Sequence, residues 1–326
     1  MAKALTLWVL TDGRAGHLAQ AMGLAEAIAR ARPVEIETRP VTMKPWAIKL
    51  PATVLHGLGR AISLFPRAAL DYGGADLRWP WPDCVISAGR RTAPVAAWMR
   101  RQHGVTAIQL LDPKIAPNAF DAVLVPGHDS LQGANVHTSL GALNRITSQL
   151  IDNASVAIAD QVSALAPPRI GVLIGGPSGS AEFSEADAAR LGLALENIAT
   201  DHTLLITTSR RTPPVVKEML SKALGDRAAI WSPDGAVNPY PGMLGHVENV
   251  LVTEDSVNMA SEAASCGLPV HVFPISSVAS KLAQFHEDLS AYGASRRFTG
   301  ALEQWEYTPL AEADRLANDL IRRGII

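Results

Sequence analysis

The sequence predicts an α/β fold of two facing Rossmann-like domains, each built on a parallel sheet. Three observations carry that expectation. An apolar run at Leu5–Leu10 passes through a glycine-bearing turn into an alanine-rich helical segment that reaches Ala29. Strand-like and helix-like segments then go on alternating, as a parallel sheet with crossover helices requires. After Ala166-Pro167-Pro168 the pattern restarts from a second apolar run and a second glycine-rich turn. A chain of 326 residues exceeds what one hydrophobic core usually organises. Two domains, 1–160 and 161–326, therefore divide it, with the last helix able to pack back on the first.

Leu5–Leu10 is short, rich in large apolar residues and free of Gly and Pro, so it reads as a buried strand. Leu18, Met22, Ala25 and Ala29 then recur at helical spacing, joined by Ala21, Leu24 and Ile28. Between strand and helix lies Thr11-Asp12-Gly13-Arg14-Ala15-Gly16-His17, whose glycines admit backbone angles closed to other residues. Such a turn leaves the helix N-terminus open to a polar or anionic group, which the helix dipole favours by about 0.3–1 kcal/mol. The turn lacks the G-x-G-x-x-G pattern of a dinucleotide site. Val34–Pro40 reads as the next strand. Residues Met43–Leu70 mix Trp46, Ile48, Leu50, Val54, Leu55, Leu58, Ile62, Leu64 and Phe65 with Lys44, Lys49, Arg60 and Arg67. That composition suits an interfacial membrane contact, and equally a helix packed on its own sheet. Asp83–Ser87 is a strand. The turn Ala88-Gly89-Arg90-Arg91-Thr92 opens a helix around Pro94–Arg101, where Pro94 suits the first turn. Arg90 and Arg91, at a strand's carboxyl end, suit an anionic acceptor or a donor phosphate. Val105–Leu111 and Ala122–Val125 complete the strands read in this half, and a helical segment follows Thr147.

In the second half Arg169–Ile174 reads as a strand and Gly175-Gly176-Pro177-Ser178-Gly179-Ser180 as its turn. Ser184 with Asp187 makes a helix cap, and the helix runs through Leu191, Leu195 and Ile198. His202–Thr208 is a strand that ends in Ser209-Arg210-Arg211. Val250–Val252 is another, after which Asp255 or Ser256 caps a helix, Gly267 ends it and Val270–Pro274 starts the next strand. Ser256, Met259 and Glu262 are three apart and share a helix face. A carboxylate on that face accepts the hydroxyls of a ribose while the helix N-terminus faces phosphates.

Composition narrows the classes. Lys+Arg number 29 against Asp+Glu 31, a net charge of −2, which gives no electrostatic footprint for nucleic acid. Two cysteines, Cys84 and Cys266, make no disulfide framework and read as core residues. The first apolar run is too short for a signal peptide, and no stretch reaches the roughly 18 apolar residues of a membrane span. The expected location is cytoplasmic, with a peripheral place on the inner face of the cytoplasmic membrane open.

The first turn, ending in Gly16-His17, resembles that of glycosyltransferases of the GT-B fold, including the peptidoglycan N-acetylglucosaminyltransferase. The run from Ser261-Glu262-Ala263 to Gly267-Leu268-Pro269-Val270 resembles that family's nucleotide segment, which implies a ribose-holding role for Glu262 and makes Gly175–Ser178 the counterpart of its glycine-serine turn. A resemblance across almost the whole chain rests on T-D-G-R-A-G-H-x-x-Q-A, S-A-G-R-R-T-A-P, N-V-x-T-S-L-G-A-L-N-R-I, T-S-R-R-T-P, N-P-Y-P-G-M-L and V-T-E-D-S-V-N-M-x-S-E-A. By these motifs the sequence is similar to the bacterial branch of the elongated-mitochondria fission family. That likeness implies a GT-B-like fold and leaves the substrate open.

The expected activity is metal-independent glycosyl transfer from a nucleotide-diphosphate sugar to an envelope or lipid-linked acceptor, with no cofactor. Gly175, Gly176, Ser178, Ser209, Arg210, Asp255, Ser256, Met259 and Glu262 would hold the donor, with Asn238-Pro239-Tyr240 bordering the base. His17 would be the base, with Asp12 orienting it or replacing it. Arg14, Gly16 and Arg90 would meet acceptor or phosphate. No His, Asp and Glu cluster has metal-ligand spacing. Two other readings stay open: a sugar-nucleotide epimerase or hydrolase of the same fold, and a non-catalytic membrane adaptor.

Overall fold

The computed structural model describes residues 4–61, 65, 68–71, 77, 80–231 and 239–326. It divides into a front unit, Met1–Arg145 with Ala311–Ile326, and a rear unit, Ile146–Leu310. The division falls at Arg145 rather than near residue 160. Of the residues named above, Ile62, Leu64, Arg67 and Asn238 lie outside the described residues.

The front unit runs β1 (Leu5–Thr11), α1 (Ala15–Ala31), β2 (Val34–Pro40), α2 (Pro45–Ile48), α3 (Ala52–Ala61), β3 (Cys84–Ala88), α4 (Ala93–His103), β4 (Thr106–Leu110), β5 (Ala122–Pro126) and β6 (Val136–Ser139). The rear unit follows with α5 (Ser148–Ser163), β7 (Arg169–Ile174), β8 (Ala181–Glu182), α6 (Glu185–Ile198), β9 (Thr203–Thr208), α7 (Pro214–Leu224), β10 (Ala228–Trp231), α8 (Tyr240–Met243), β11 (Asn249–Thr253), α9 (Val257–Ala264), β12 (Val270–Phe273), β13 (Ser277–Val278), α10 (Ser280–Ala291) and β14 (Ser295–Arg297). The chain then re-enters the front unit as α11 (Glu312–Arg322).

Each unit has one six-stranded sheet, β2-β1-β3-β4-β5-β6 in front and β10-β9-β7-β11-β12-β14 behind. Every neighbouring pair in both is parallel. The central strands are covered on both faces, so β3 and β11 are buried along their whole length. In each sheet the chain moves outward from a central strand and later returns to that strand's other side, which creates a crevice at the carboxyl ends. In front the reversal lies between β1 and β3, and behind between β7 and β11. The turns Asp12–Gly16, Ala88–Thr92, Gly175–Ser178 and Glu254–Ser256 leave the sheets at those points. The short strands β6, β8, β10, β13 and β14, of two to four residues each, are too brief to show a period in the sequence.

Capping matches the residues present. Ser184 and Asp187 form a reciprocal capping box on α6. Asp187 also accepts from Ser276 and Arg190, and these bonds hold its carboxyl well below the usual range against the cost of burial. The two cysteines are free, Cys84 in the core and Cys266 partly covered.

Helix α11 completes the front core. Leu316, Ala317 and Leu320 pack in one cluster with Leu24 and Ile28 of α1 and Ile86 of β3. Arg30 Nη2 meets Asp314 Oδ1 at 2.6 Å, Arg315 Nη2 donates to the Thr138 carbonyl at 2.6 Å, and Leu140 N donates to Glu312 Oε2 at 2.8 Å. Leu320 is fully buried. Leu320→Ala should therefore destabilise the front unit by about 2–5 kcal/mol. Denaturant unfolding followed by hydrogen exchange will show the loss in front-unit amides, with rear-unit amides unchanged.

Candidate functional site

In the front unit β1 ends at Thr11, and Gly13 takes φ +81° to reverse the chain. Gly16 lies within α1 and outside the left-handed region, so its place in the motif is not explained by a positive φ. The N-cap, Arg14, makes no side-chain capping bond, and Leu18 N donates to its carbonyl at 3.0 Å. The first amides of α1 thus face outward without a side-chain acceptor, an arrangement that favours an anion.

His17 and Asp12 come together on this turn. Asp12 is almost wholly buried, and its Oδ1 lies 3.4 Å from His17 Nδ1, an electrostatic contact longer than a good hydrogen bond. Arg14 Nε lies 3.5 Å from Asp12 Oδ2, and Arg14 N donates to Oδ1 at 3.3 Å. Burial lowers the His17 pKa most, Asp12 opposes that, and Arg14 and Arg91 add to it. The imidazole is therefore neutral near pH 7 and can accept a proton.

The second front turn shapes that imidazole's pocket. Gly89 has φ +75°, and a Cβ there would fall 2.5 Å from His17 Cε1. Only glycine lets the ring lie against this turn. Beneath it, fully buried Ser87 Oγ donates to Gln109 Oε1 at 2.6 Å, and Gln109 Nε2 donates to the carbonyls of Leu110 at 2.6 Å and Gly89 at 3.3 Å. Sequence reasoning missed Gly89, Ser87 and Gln109; the available signal was a polar residue inside each of two apolar strands. Arg90 is exposed, whereas Arg91 is half-buried and its Nε lacks an acceptor.

In the rear unit the glycine turn is drawn down onto the start of α9. Gly175 N donates to Thr253 Oγ1 at 2.8 Å and Gly176 N to Asp255 Oδ2 at 2.7 Å. Thr253 Oγ1 donates to Asp255 Oδ1 at 2.6 Å, and Arg211 Nη2 stands 3.5 Å from Oδ2. Burial raises the Asp255 pKa, and these partners pull it back. A Cβ on Gly175 would come within 1.9 Å of Asp255 Oδ2, and one on Gly176 within 2.3 Å of the Arg211 carbonyl.

Several of the expected donor residues make contacts within the protein. The Asp255 carboxylate is fully buried and tied to the protein's own backbone, and it positions the turn. Ser256 caps α9, accepting from Met259 N at 3.3 Å, and Met259 is partly buried one turn on. Ser209 Oγ shares a hydrogen bond with Thr212 Oγ1 at 3.1 Å and accepts from Arg211 N at 3.1 Å. Arg211, not Arg210, engages this cluster, and its Nη1 also donates to the Pro177 carbonyl at 3.3 Å; Arg210 is exposed. Ser178 is exposed beside them, accepting from Ser180 N at 3.1 Å.

Glu262 occupies the same helix two turns along. It is partly buried, and burial pushes its pKa up to about 7 despite the nearby Tyr240 hydroxyl, which favours the charged form. That Tyr240 hydroxyl, at the start of α8, was placed beside the base by sequence; here it adjoins the carboxyl. Among the described residues, no group of three or more His, Cys, Asp or Glu is placed to hold a metal ion.

Comparison with known proteins follows the same lines. A family model described as Mitochondrial fission ELM1 matches residues 15–324. Mitochondrial fission protein ELM1 of Arabidopsis thaliana is 32% identical over 277 residues, 74% of this chain and 65% of that protein. The uncharacterized protein RP120 of Rickettsia prowazekii is 26% identical over 362 residues, 96% of this chain and 97% of its own. Among solved structures, UDP-GlcNAc 2-epimerase of Methanocaldococcus jannaschii has a TM-score of 0.55 at 12% identity, covering 98% of this chain and all of that one. The S. aureus MnaA-UDP structure has a TM-score of 0.52 at 15% identity, covering 97% and 88%. These likenesses show the GT-B-like fold.

The Glu262 pKa has a consequence for stability. In the unfolded chain the carboxyl ionises near its ordinary 4.5, and in the folded protein at about 7. Between those values the unfolded state has released a proton that the folded state keeps, so stability falls as pH rises through that window. Melting curves should show Glu262→Gln gaining stability relative to the parent from pH 4.5 to pH 7, by on the order of 1–3 kcal/mol.

Proposed function

Because this chain belongs to the mitochondrial fission ELM1 family and has a GT-B-like fold, we propose that it is a glycosyltransferase using a nucleotide-diphosphate sugar. The observation that carries the reading is Glu262 on α9, a carboxyl of raised pKa on the helix whose N-terminus receives the Gly175-Gly176 turn. Ionised, it accepts the two hydroxyls of a ribose. The amides at the start of α9 then take the diphosphate, which suits the excess of unpaired N–H groups at a helix start. Arg210 and Ser178, both exposed, are the side chains free to follow the phosphates. A structure of the same fold holds UDP-GlcNAc and UDP, which supports this class of ligand.

In the front unit His17 is assigned the proton transfer. Asp12 beside Nδ1 orients the ring so that Nε2 is the basic nitrogen, and burial keeps it neutral. Arg14 and the amides around Gly16 supply positive potential at that turn. No metal is invoked, since fixed dipoles and arginine stabilise a departing diphosphate. A lipid-linked acceptor and a peripheral place on a membrane belong to the same proposal; no described helix is long and apolar enough to cross one.

The test is a melting screen against nucleoside diphosphates and their sugars, because ligand bound to the native state raises its melting temperature. Glu262→Ala should abolish the shift. His17→Ala should keep it and lose turnover by about 10²–10⁴-fold. Binding should weaken as pH drops below about 7, when Glu262 takes up its proton. A shift that survives Glu262→Ala would refute the nucleotide assignment. Epimer or free sugar formed without acceptor would replace transfer with epimerisation or hydrolysis.

A further inference from the structure

We propose that the front unit binds a membrane-resident amphiphile carrying a phosphate monoester, its phosphate on Arg90 and Arg91 and its hydrocarbon along α2 and α3. This goes beyond the nucleotide assigned to the rear unit and does not depend on it.

The first observation is the surface of α2 and α3. Trp46, Ile48 and Val54 are 47%, 39% and 44% exposed within one short stretch. Large apolar side chains clustered this way leave water only when something covers them. The second is charge. Between Arg39 and Asp71 the chain has no acidic residue, while Lys44, Lys49, Arg60 and Arg67 are basic. Lys49 and Arg60 are exposed beside the apolar residues. A face that is apolar at its centre and cationic at its margin complements an anionic bilayer, with the indole at headgroup depth.

The third observation specifies the ligand. A narrow crevice joins this face to the second front turn, with Met43, Ala47, Leu50 and Leu55 on the apolar side and Arg90 and Arg91 on the other. Arg91 Nε is buried and has no hydrogen-bond partner. A buried guanidinium N–H left without an acceptor is costly, and a phosphate oxygen satisfies it. Two adjacent arginines favour a doubly charged monoester over a singly charged diester. Arg91 is also near enough to His17 to bear on the imidazole, which sets the headgroup at the assigned base.

The experiment is co-sedimentation of the full chain with vesicles of phosphatidylcholine alone, or mixed with phosphatidylglycerol or with phosphatidic acid at matched surface charge. The parent protein should ignore the neutral vesicles and prefer phosphatidic acid to phosphatidylglycerol about tenfold. Lys44→Gln and Lys49→Gln should each weaken binding to both anionic vesicles about fivefold. Trp46→Ser should lower both as well. Arg91→Gln should bring phosphatidic acid down to the phosphatidylglycerol level, and the exposed Arg90→Gln provides the same reading if the first variant does not fold. Equal binding to the two anionic vesicles, or preference unchanged in the arginine variants, overturns the proposal. So does inorganic phosphate that competes as well as phosphatidic acid, because the hydrocarbon would then contribute nothing. Nucleotide melting shifts measured on the same variants separate this outcome from failure of the rear-unit assignment.

Discussion

The glycine turn of the rear unit depends on one buried carboxylate, that of Asp255. Asp255 holds the amide of Gly176 and the hydroxyl of Thr253, with Arg211 near enough to balance its charge. Without these partners a fully buried carboxylate would be strongly disfavoured, and with them it ties the end of β7 to the start of α9. Two glycines are required because Asp255 and the Arg211 carbonyl occupy the space a Cβ would need. The turn's amides are spent within the protein: those of Gly175 and Gly176 on this clamp and that of Ser178 on the Ala181 carbonyl.

The front unit solves a similar problem by other means. Its turns after β1 and β3 meet at the reversal of strand order, and the join is an imidazole laid on a glycine. Gln109 supports Gly89 from the sheet below, and Asp12 stands beside the ring. Burial weakens the basic character of His17 while Asp12 sustains it, the balance a base working near neutral pH needs. The two units share a sheet plan and a position for their turns, but they differ in what fills them.

Much of this was legible in the chain. The strand runs at Leu5, Asp83, Arg169 and Val250 were visible because strands covered on both faces are continuous apolar runs. The cap at Ser184 and Asp187 and the shared face of Ser256, Met259 and Glu262 follow from local spacing alone. The roles within those spacings were less visible. Asp255 and Ser256 look like ligand contacts in a motif, yet both side chains are consumed locally. That Arg211 rather than Arg210 reaches Asp255 was not visible, because neighbours in a loop carry no period that tells inward from outward. The edge strands β6, β10 and β14 and the unit boundary at Arg145 were missed for the same reason: they depend on distant partners, not on adjacent residues.

By itself the sequence determined the α/β class, the two glycine turns and the family to which the chain belongs, because these rest on local pattern and local steric freedom. Tertiary structure alone decided that Gly89 makes room for His17 and that Gln109 supports it. It also decided that the Glu262 carboxyl is shielded enough to titrate at about 7 with Tyr240 beside it. Each of these arises from groups far apart in the chain brought into one low-dielectric place. Burial and the identity of a distant partner are properties of packing, and no spacing of residues along a chain encodes them locally.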